Sequence, residues 1–339
     1  PAIANGVNYT VSTYVGDGAT PCDTTPNTLA NTLTTNLWFV TSDAAGNLYY
    51  PDLGRGLICK IDTNGNVTRI GGNGTSGVGA ENVQATSTTL DSPMQVAVDS
   101  SGNVYFTEYS VNGAVRKIAT NGVISTIYNT ARTGIYSGDN ILAVNAAGNY
   151  PLAIAVSPSG EVYFGSYTNF RIFRIDSNGY IHLVAGTGTS GTTGDGGLAT
   201  SATIPYTPGI AFDASGDIYL SQWSTCIRKI NHITGIINTY AGTCGTAGHT
   251  GDGGLASAAL INGPWGISID ATNTLYIGER TGHTVRAIDL NTGIIRTIAG
   301  IYNSTGTTNG LTSSALFNGP FAVALRGSDL YVADFFNSK

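Results

Sequence analysis

A short apolar strand ending in Gly-x-hydrophobic-Tyr, or a close relative of it, recurs six times along the chain, with the tyrosines at Tyr49, Tyr105, Tyr163, Tyr219, Tyr276 and Tyr331. The intervals are 56, 58, 56, 57 and 55 residues, and a fixed period of this length marks a repeat architecture. A proline stands ahead of five of these strands, at Pro93, Pro151, Pro208, Pro264 and Pro320, each followed by a small-apolar run such as MQVAVD, LAIAVS or GISID. Proline at a strand's first residue forfeits no needed ladder hydrogen bond. After the tyrosine strand come a polar turn, a strand mixing apolar and basic residues (ICKID, VRKIA, IFRID, IRKIN, VRAID), a tight turn such as TNG or DSNGY, and a fourth strand such as IHLVAG or IIRTIAG. The Asn-Gly and Thr-Gly pairs provide the positive φ that two-residue hairpins require.

Four antiparallel strands per repeat make one propeller blade, and burial of both blade faces explains why the strands read as nearly continuous Val, Ile, Leu, Ala and Tyr. The pattern predicts an all-β, six-bladed β-propeller in a single domain, residues 1–339. The blades fall at about 19–72, 73–130, 131–187, 188–243, 244–300 and, for the last, 301–339 plus 8–18. The N-terminal NYTVSTYVGDG, Asn8 to Gly18, matches the fourth strand IINTYAGTCG and is expected to close the last blade. That blade reaches Lys339 where its third strand should begin. Either the natural chain continues or a neighbouring subunit donates the strand, because an open sheet edge is a template for strand addition.

Two strings, GDGGLATSATIPYTPGIAFDASGDIYL (Gly194 to Leu220) and GDGGLASAALINGPWGISIDATNTLYI (Gly251 to Ile277), resemble the NHL-repeat propellers of many extracellular and bacterial proteins. Weaker copies run from Asn309 to Leu325 and from Val83 to Asp99. The family's acidic residue, short loop and Asn before the basic strand are kept only in part, as in VADFFNSK. The resemblance implies a propeller but leaves function open: family members include peptide-amidating lyases, relatives of similar shape include calcium-dependent lactonases and strictosidine-synthase-like proteins, and many others bind or build. Fold alone does not choose among them.

The chemistry is sparse. A zinc lyase would need several converging histidines, and the chain has His182, His232, His249 and His283, none on an innermost strand by this reading. Three residues after each repeat tyrosine stand Asp52, Glu108, Ser166, Gln222, Glu279 and Asp334. The acids Asp52, Glu108, Glu279 and Asp334 would suit a carboxylate ring for a hard cation such as calcium. The plainer reading pairs them with the basic third strands through Lys60, Arg116, Arg174, Arg228 and Arg286, or has them cap turn amides. The Gly-rich loops around Asp195 and Asp252 lack the helix and lysine of a phosphate-binding loop and read as between-blade connections. No G-x-S-x-G elbow occurs. No catalytic residue and no cofactor is therefore expected.

Only 11% of residues are charged and the net charge is -6 without a Lys/Arg cluster, so nucleic acid is not an expected partner. No apolar run is long enough for a membrane-spanning helix, and no membrane insertion is expected. Cys22, Cys59, Cys226 and Cys244 lack C-x-x-C spacing and read as structural disulfides or buried thiols. The strand reading brings Cys226 near Cys244 and sets Cys22 against Cys59, a pattern that suits an oxidising compartment. Glycosylation sequons stand at Asn8, Asn66, Asn73 and Asn303. The expectation is a secreted or cell-surface structural or interaction propeller that partners protein, copies of itself or glycans, as one subunit of a larger extracellular assembly or filament. A ligand-binding or adhesive propeller using its loop face around Trp223 and Trp265 is the first rival, and a metal-dependent hydrolase or lyase the second.

Overall fold

The structure, a computed structural model, describes residues 10–15, 22, 28–29, 37–134, 136 and 138–339. The first blade consists of Thr41–Ser42, Leu48–Asp52, Leu57–Ile61 and Asn66–Gly71, with Thr28–Leu29 added at its outer edge. The second is Pro93–Val98, Val104–Glu108, Val115–Ile118 and Val123–Tyr128, edged by Val83–Gln84. The third is Pro151–Val156, Val162–Ser166, Arg171–Ile175 and Ile181–Ala185. Blade four is Gly209–Phe212, Ile218–Gln222, Cys226–Ile230 and Ile237–Gly242, and blade five is Pro264–Ile269, Thr274–Glu279, Thr284–Asp289 and Ile294–Gly300. Within each blade the strands pair antiparallel in sequence order.

The expected six blades are corrected to five. Among the described residues the last repeat forms a two-stranded hairpin, Pro320–Arg326 with Asp329–Asp334. The N-terminal strand Thr10–Val11 does not join that sheet; it pairs with Gly310–Leu311, in the connection ahead of the hairpin. The physical reason is that a strand two places away in a ladder cannot reach the hairpin's backbone without an intervening partner. Asn8 and part of the 8–18 segment lie outside the described residues.

The core lies between blades. Ala153 and Ile172 of blade three pack with Ile210, Ile218 and Leu220 of blade four, and Tyr219 and Ile227 of blade four with Ile267, Leu275 and Ile277 of blade five. At one end of the blades the repeat tyrosine has a defined task. Asp99 accepts hydrogen bonds from the Ser101 and Asn103 amides at 3.0 and 2.8 Å, from the Asn103 side chain at 2.7 Å and from the Tyr105 hydroxyl at 3.0 Å. The same Asp-to-Tyr link recurs at Asp43 and Tyr49, Asp213 and Tyr219, and Asp270 and Tyr276. A turn carboxylate that accepts several donors orders the turn between inner and second strands.

Both disulfides form, Cys22 with Cys59 and Cys226 with Cys244, their Cα atoms 6.3 and 4.9 Å apart. Among the described residues no helix is long and apolar enough to cross a membrane.

Candidate functional site

The six positions three residues beyond the repeat tyrosines lie at the other end of the second strands, all buried: Asp52, Glu108, Ser166, Gln222, Glu279 and Asp334 are 0–7% exposed. Each acid serves its own blade. Glu108 accepts from the Asp91 amide at 3.0 Å, Glu279 from the Asn262 amide at 3.0 Å and Asp334 from the Asn318 amide at 2.7 Å, in each case two residues before the blade's proline. Glu108 also pairs with Arg132 and lies 3.6 Å from Arg116. Glu279 accepts from the Thr284 hydroxyl and faces His249 at 3.2 Å, while Asp52 pairs with Arg55 at 2.8 Å. Burial pushes the Glu108 carboxyl up against the pull of Arg132 and Arg116, and pushes Asp334 up to about 6. Among the described residues no three His, Cys, Asp or Glu side chains are placed to share a metal ion.

The third-strand arginines mostly bind elsewhere. Arg116, Arg228 and Arg286 are fully buried and reach the connection ahead of their blade. Arg228 Nε donates to Asp195 at 2.9 Å and Nη1 to the Thr203 carbonyl at 3.0 Å; Arg286 pairs with Asp252 and donates to the Leu260 and Thr250 carbonyls at 2.8 and 2.9 Å. Asp195 also accepts from the Thr239 amide at 2.9 Å. The Gly-rich loops thus act as seams between blades. Gly194 has φ +99 and a Cβ there would stand 2.7 Å from Ala202 Cα, so backbone conformation and close approach both require glycine.

One residue beyond each buried position stands Leu53, Tyr109, Tyr167, Trp223, Arg280 or Phe335. These side chains gather where the inner strands begin, and rings touch from repeat to repeat. Tyr109 meets Tyr167 at 6.0 Å, Tyr167 meets Tyr206 at 4.7 Å, Tyr206 meets Trp265 at 5.2 Å and Trp265 meets Phe321 at 4.8 Å; Phe321 in turn meets Trp38 at 5.1 Å. Beneath them Met94, Leu152, Trp265 and Phe321, each following a blade proline, form a buried apolar cluster. Tyr167 and Trp223 remain 40% and 37% exposed. The result is an aromatic mouth whose floor is apolar, the kind of surface on which ligands are held.

Arg280 interrupts this ring of apolar residues. Its guanidinium lies 4.9 Å from the centroids of Trp223 and Trp265, 4.8 Å from Phe321 and 5.9 Å from Phe336. Desolvation lowers its pKa. The sequence pointed to Trp223 and Trp265 but not to Arg280 or the ring as a whole; the three-residue spacing that exposed the acids would have found it one position further on.

The remaining sequence candidates are dispersed. His182 binds Asp176 and Asn140 on an outer strand, and His232 binds Asp217. His249 stacks on Tyr302 at 4.6 Å, and His283 accepts from the Gly319 amide at 3.1 Å. Asn73 and Asn303 are exposed, Asn66 lies on an outer strand with its side-chain nitrogen donating to Asp62 at 3.0 Å, and Asn8 is outside the described residues. A cavity of about 580 Å³ opens between Leu330–Ala333 of the terminal hairpin and Thr10–Val15, with Leu37, Tyr50 and Ile61 on its wall. Asp329–Asp334 has a strand partner on one side only among the described residues.

No family model matches the chain. Teneurin-1 of Gallus gallus is 34% identical over 212 residues, 57% of this chain and 7% of that protein. The chain therefore spans less than a tenth of the curated relatives it matches. Among solved structures, an auxiliary nutrient binding protein from Bacteroides thetaiotaomicron superposes with TM-score 0.70 at 15% identity over 98% of this chain and 75% of its own. Virginiamycin B lyase from Staphylococcus aureus does so with TM-score 0.54 at 18% identity over 91% and 81%. At these identities the likeness is one of fold, and it is a β-propeller fold.

Proposed function

We propose that this chain is an NHL-type interaction propeller that works outside the cell, secreted or at the cell surface, and engages its partner through the aromatic mouth. The observation that carries this reading is the repeated ring position Leu53, Tyr109, Tyr167, Trp223, Arg280 and Phe335, occupied by an apolar or aromatic residue at five of its six places although it lies at the exposed end of the blades. Structural need does not account for it, because at Glu108, Ser166, Glu279 and Asp334 the buried residue beside it already ties the blade's entry turn. Two disulfides and the likeness to an extracellular-type repeat support a location in an oxidising compartment, as do the partial match to teneurin-1 and the fold shared with a nutrient binding protein. We read the mode of action as binding, without cofactor or turnover. Protease shaving of intact source cells, followed by mass spectrometry, tests the location: release of peptides from this chain is expected, and protection until lysis would refute it. A stoichiometric metal in the native protein would instead favour the hydrolase or lyase class.

A second reading, a subunit of a larger extracellular assembly, is favoured by the side of Asp329–Asp334 that has no strand partner among the described residues and lines the cavity. Electron microscopy of the native material, with its intact mass, tests it: ordered filaments or rings are expected, and isolated propellers would discard it.

A further inference from the structure

We propose that Arg280 makes the aromatic mouth a binding site for an acidic saccharide, with the guanidinium taking the sugar's carboxylate and the neighbouring rings taking its C–H face. This rests on the interaction reading above and names the ligand class. Among the described residues the Arg280 guanidinium forms no hydrogen bond or ion pair, and its Nε is buried without an acceptor. Other arginines differ: Arg55, Arg116, Arg132, Arg174, Arg228 and Arg286 each form an ion pair, and Arg171 and Arg326 donate hydrogen bonds to backbone carbonyls. Four aromatic faces hold it in place, which stabilises the cation yet gives its N–H groups no acceptor. Were its task only to fill space, an apolar side chain would serve, as at the five equivalent positions.

Other unpaired polar groups lie on the Trp265 ring against it and on the chain neighbours of Trp223. Gln222 Nε2, Ser224 Oγ and Trp265 Nε1 are also buried without a partner, on residues 0% exposed at Gln222 and 5% at Trp265. Gln222 and Ser224 flank Trp223, whose ring meets Trp265 at 5.3 Å. Buried donors without acceptors cost free energy unless a ligand supplies them. One unpaired cation, several neutral donors and negative aromatic faces at Tyr167 and Trp223 match a ligand with one carboxylate, several hydroxyls and an apolar ring face. An acidic peptide, with a charge at each residue, would call for a row of unpaired cations.

All three tryptophans of the chain, Trp38, Trp223 and Trp265, belong to this cluster, so intrinsic fluorescence reads the site. Titration of the whole chain with trisaccharides of galacturonic or glucuronic acid should give a saturable change. Affinity should exceed that for the neutral galactose trisaccharide at least tenfold and weaken with salt. Arg280→Met should remove that preference while leaving the melting temperature within a few degrees, and Arg280→Lys should keep part of it. No response to the acidic trisaccharides, equal response to acidic and neutral sugars, an unchanged Arg280→Met variant, or tighter binding of hexaglutamate would each overturn the proposal. Failure of the interaction reading shows separately, as a stoichiometric metal in the native protein, and failure of the location as protection from shaving on intact cells.

Discussion

The seams between blades and the mouth both hold buried or half-buried arginines, and the two regions use them in opposite ways. At the seam, Arg228 has no exposed surface and spends its donors on Asp195 and two backbone carbonyls. At the mouth, Arg280 lies against four rings with no acceptor among the described residues. At the seam every guanidinium is tied to an acid and to at least one backbone carbonyl, fully at Arg228 and with buried nitrogens left over at Arg116 and Arg286, so its purpose is cohesion. At the mouth a whole guanidinium is without an acid or carbonyl among the described residues, and a folded protein tolerates that where something else arrives to meet it.

The strongest way to sharpen this contrast is to loosen the mouth's own framework. Cys226 opens the third strand next to Gln222 and is tied to Cys244, eighteen residues on. Replacing both by Ser should cost about 3 kcal/mol on the loop-entropy model, read as a lower denaturant midpoint. The response of Trp223 and Trp265 to ligand should weaken along with it. An unchanged midpoint would mean that the seam contacts alone hold this end of blade four.

Arg228→Met probes the seam directly. Breaking a buried pair costs about 3–5 kcal/mol, but Asp195 is 40% exposed and keeps the Thr239 amide, so about 2 kcal/mol is expected here. The loss should appear in global unfolding, with sugar-induced fluorescence unaltered below the transition. A variant as stable as the parent would show that the Arg228 network only replaces hydration it displaced.

Much of the seam was readable in the sequence, and much of the mouth was not. The repeat tyrosines and prolines recur because each performs one local task, as Tyr105 does for Asp99 and Pro93 for its strand, and a task repeated in every blade leaves a period in the chain. The pairing of Cys226 with Cys244 followed from hairpin geometry in the same way. Blade number failed because it depends on a ladder, and a match of Asn8 to Gly18 to a fourth strand says nothing about whether a third strand lies between. The role of the third-strand arginines was half seen: Arg116 and Arg286 do approach Glu108 and Glu279, at 3.6 and 3.9 Å, but their closer acidic partners are Glu81 and Asp252 in the connections. Arg280 escaped because its meaning lies in departing from the repeat.

Acidity separates the two ends further. Asp334 is 6% exposed and its folded pKa is raised by burial to about 6, above the ordinary carboxylate value of 3.8. The folded state therefore binds the proton more tightly than the unfolded chain, so this group's contribution is greatest below about pH 4 and is lost as pH rises through 6. Asp217, at the turn end with Lys229 at 2.8 Å and His232 at 2.9 Å, is lowered to about 2; its contribution is present above about pH 4 and lost as pH falls through 2. Asp334→Asn keeps an acceptor for the Asn318 amide and should stabilise the protein at pH 7 by about 1 kcal/mol. It should flatten the decline between pH 4 and 6 and leave the acid limb near pH 2–4 unchanged. A decline that persists in the variant would place its origin elsewhere, with Glu108, also raised by burial, the next group to replace.

The smallest effect on stability is expected where the effect on binding is largest. Arg280→Met keeps a long, polarizable side chain over Trp223, Trp265 and Phe321 and removes a cation that burial disfavours and no described acceptor meets. The change in unfolding free energy should lie within about 0.5 kcal/mol, because the cation–ring attraction that is lost is offset by the desolvation of the cation that is relieved. Beside a loss of about 2 kcal/mol for the same substitution at Arg228, that near-neutrality would show the two arginines to be built for different ends. A large loss at Arg280 would place the mouth on the side of the seams, as structure alone.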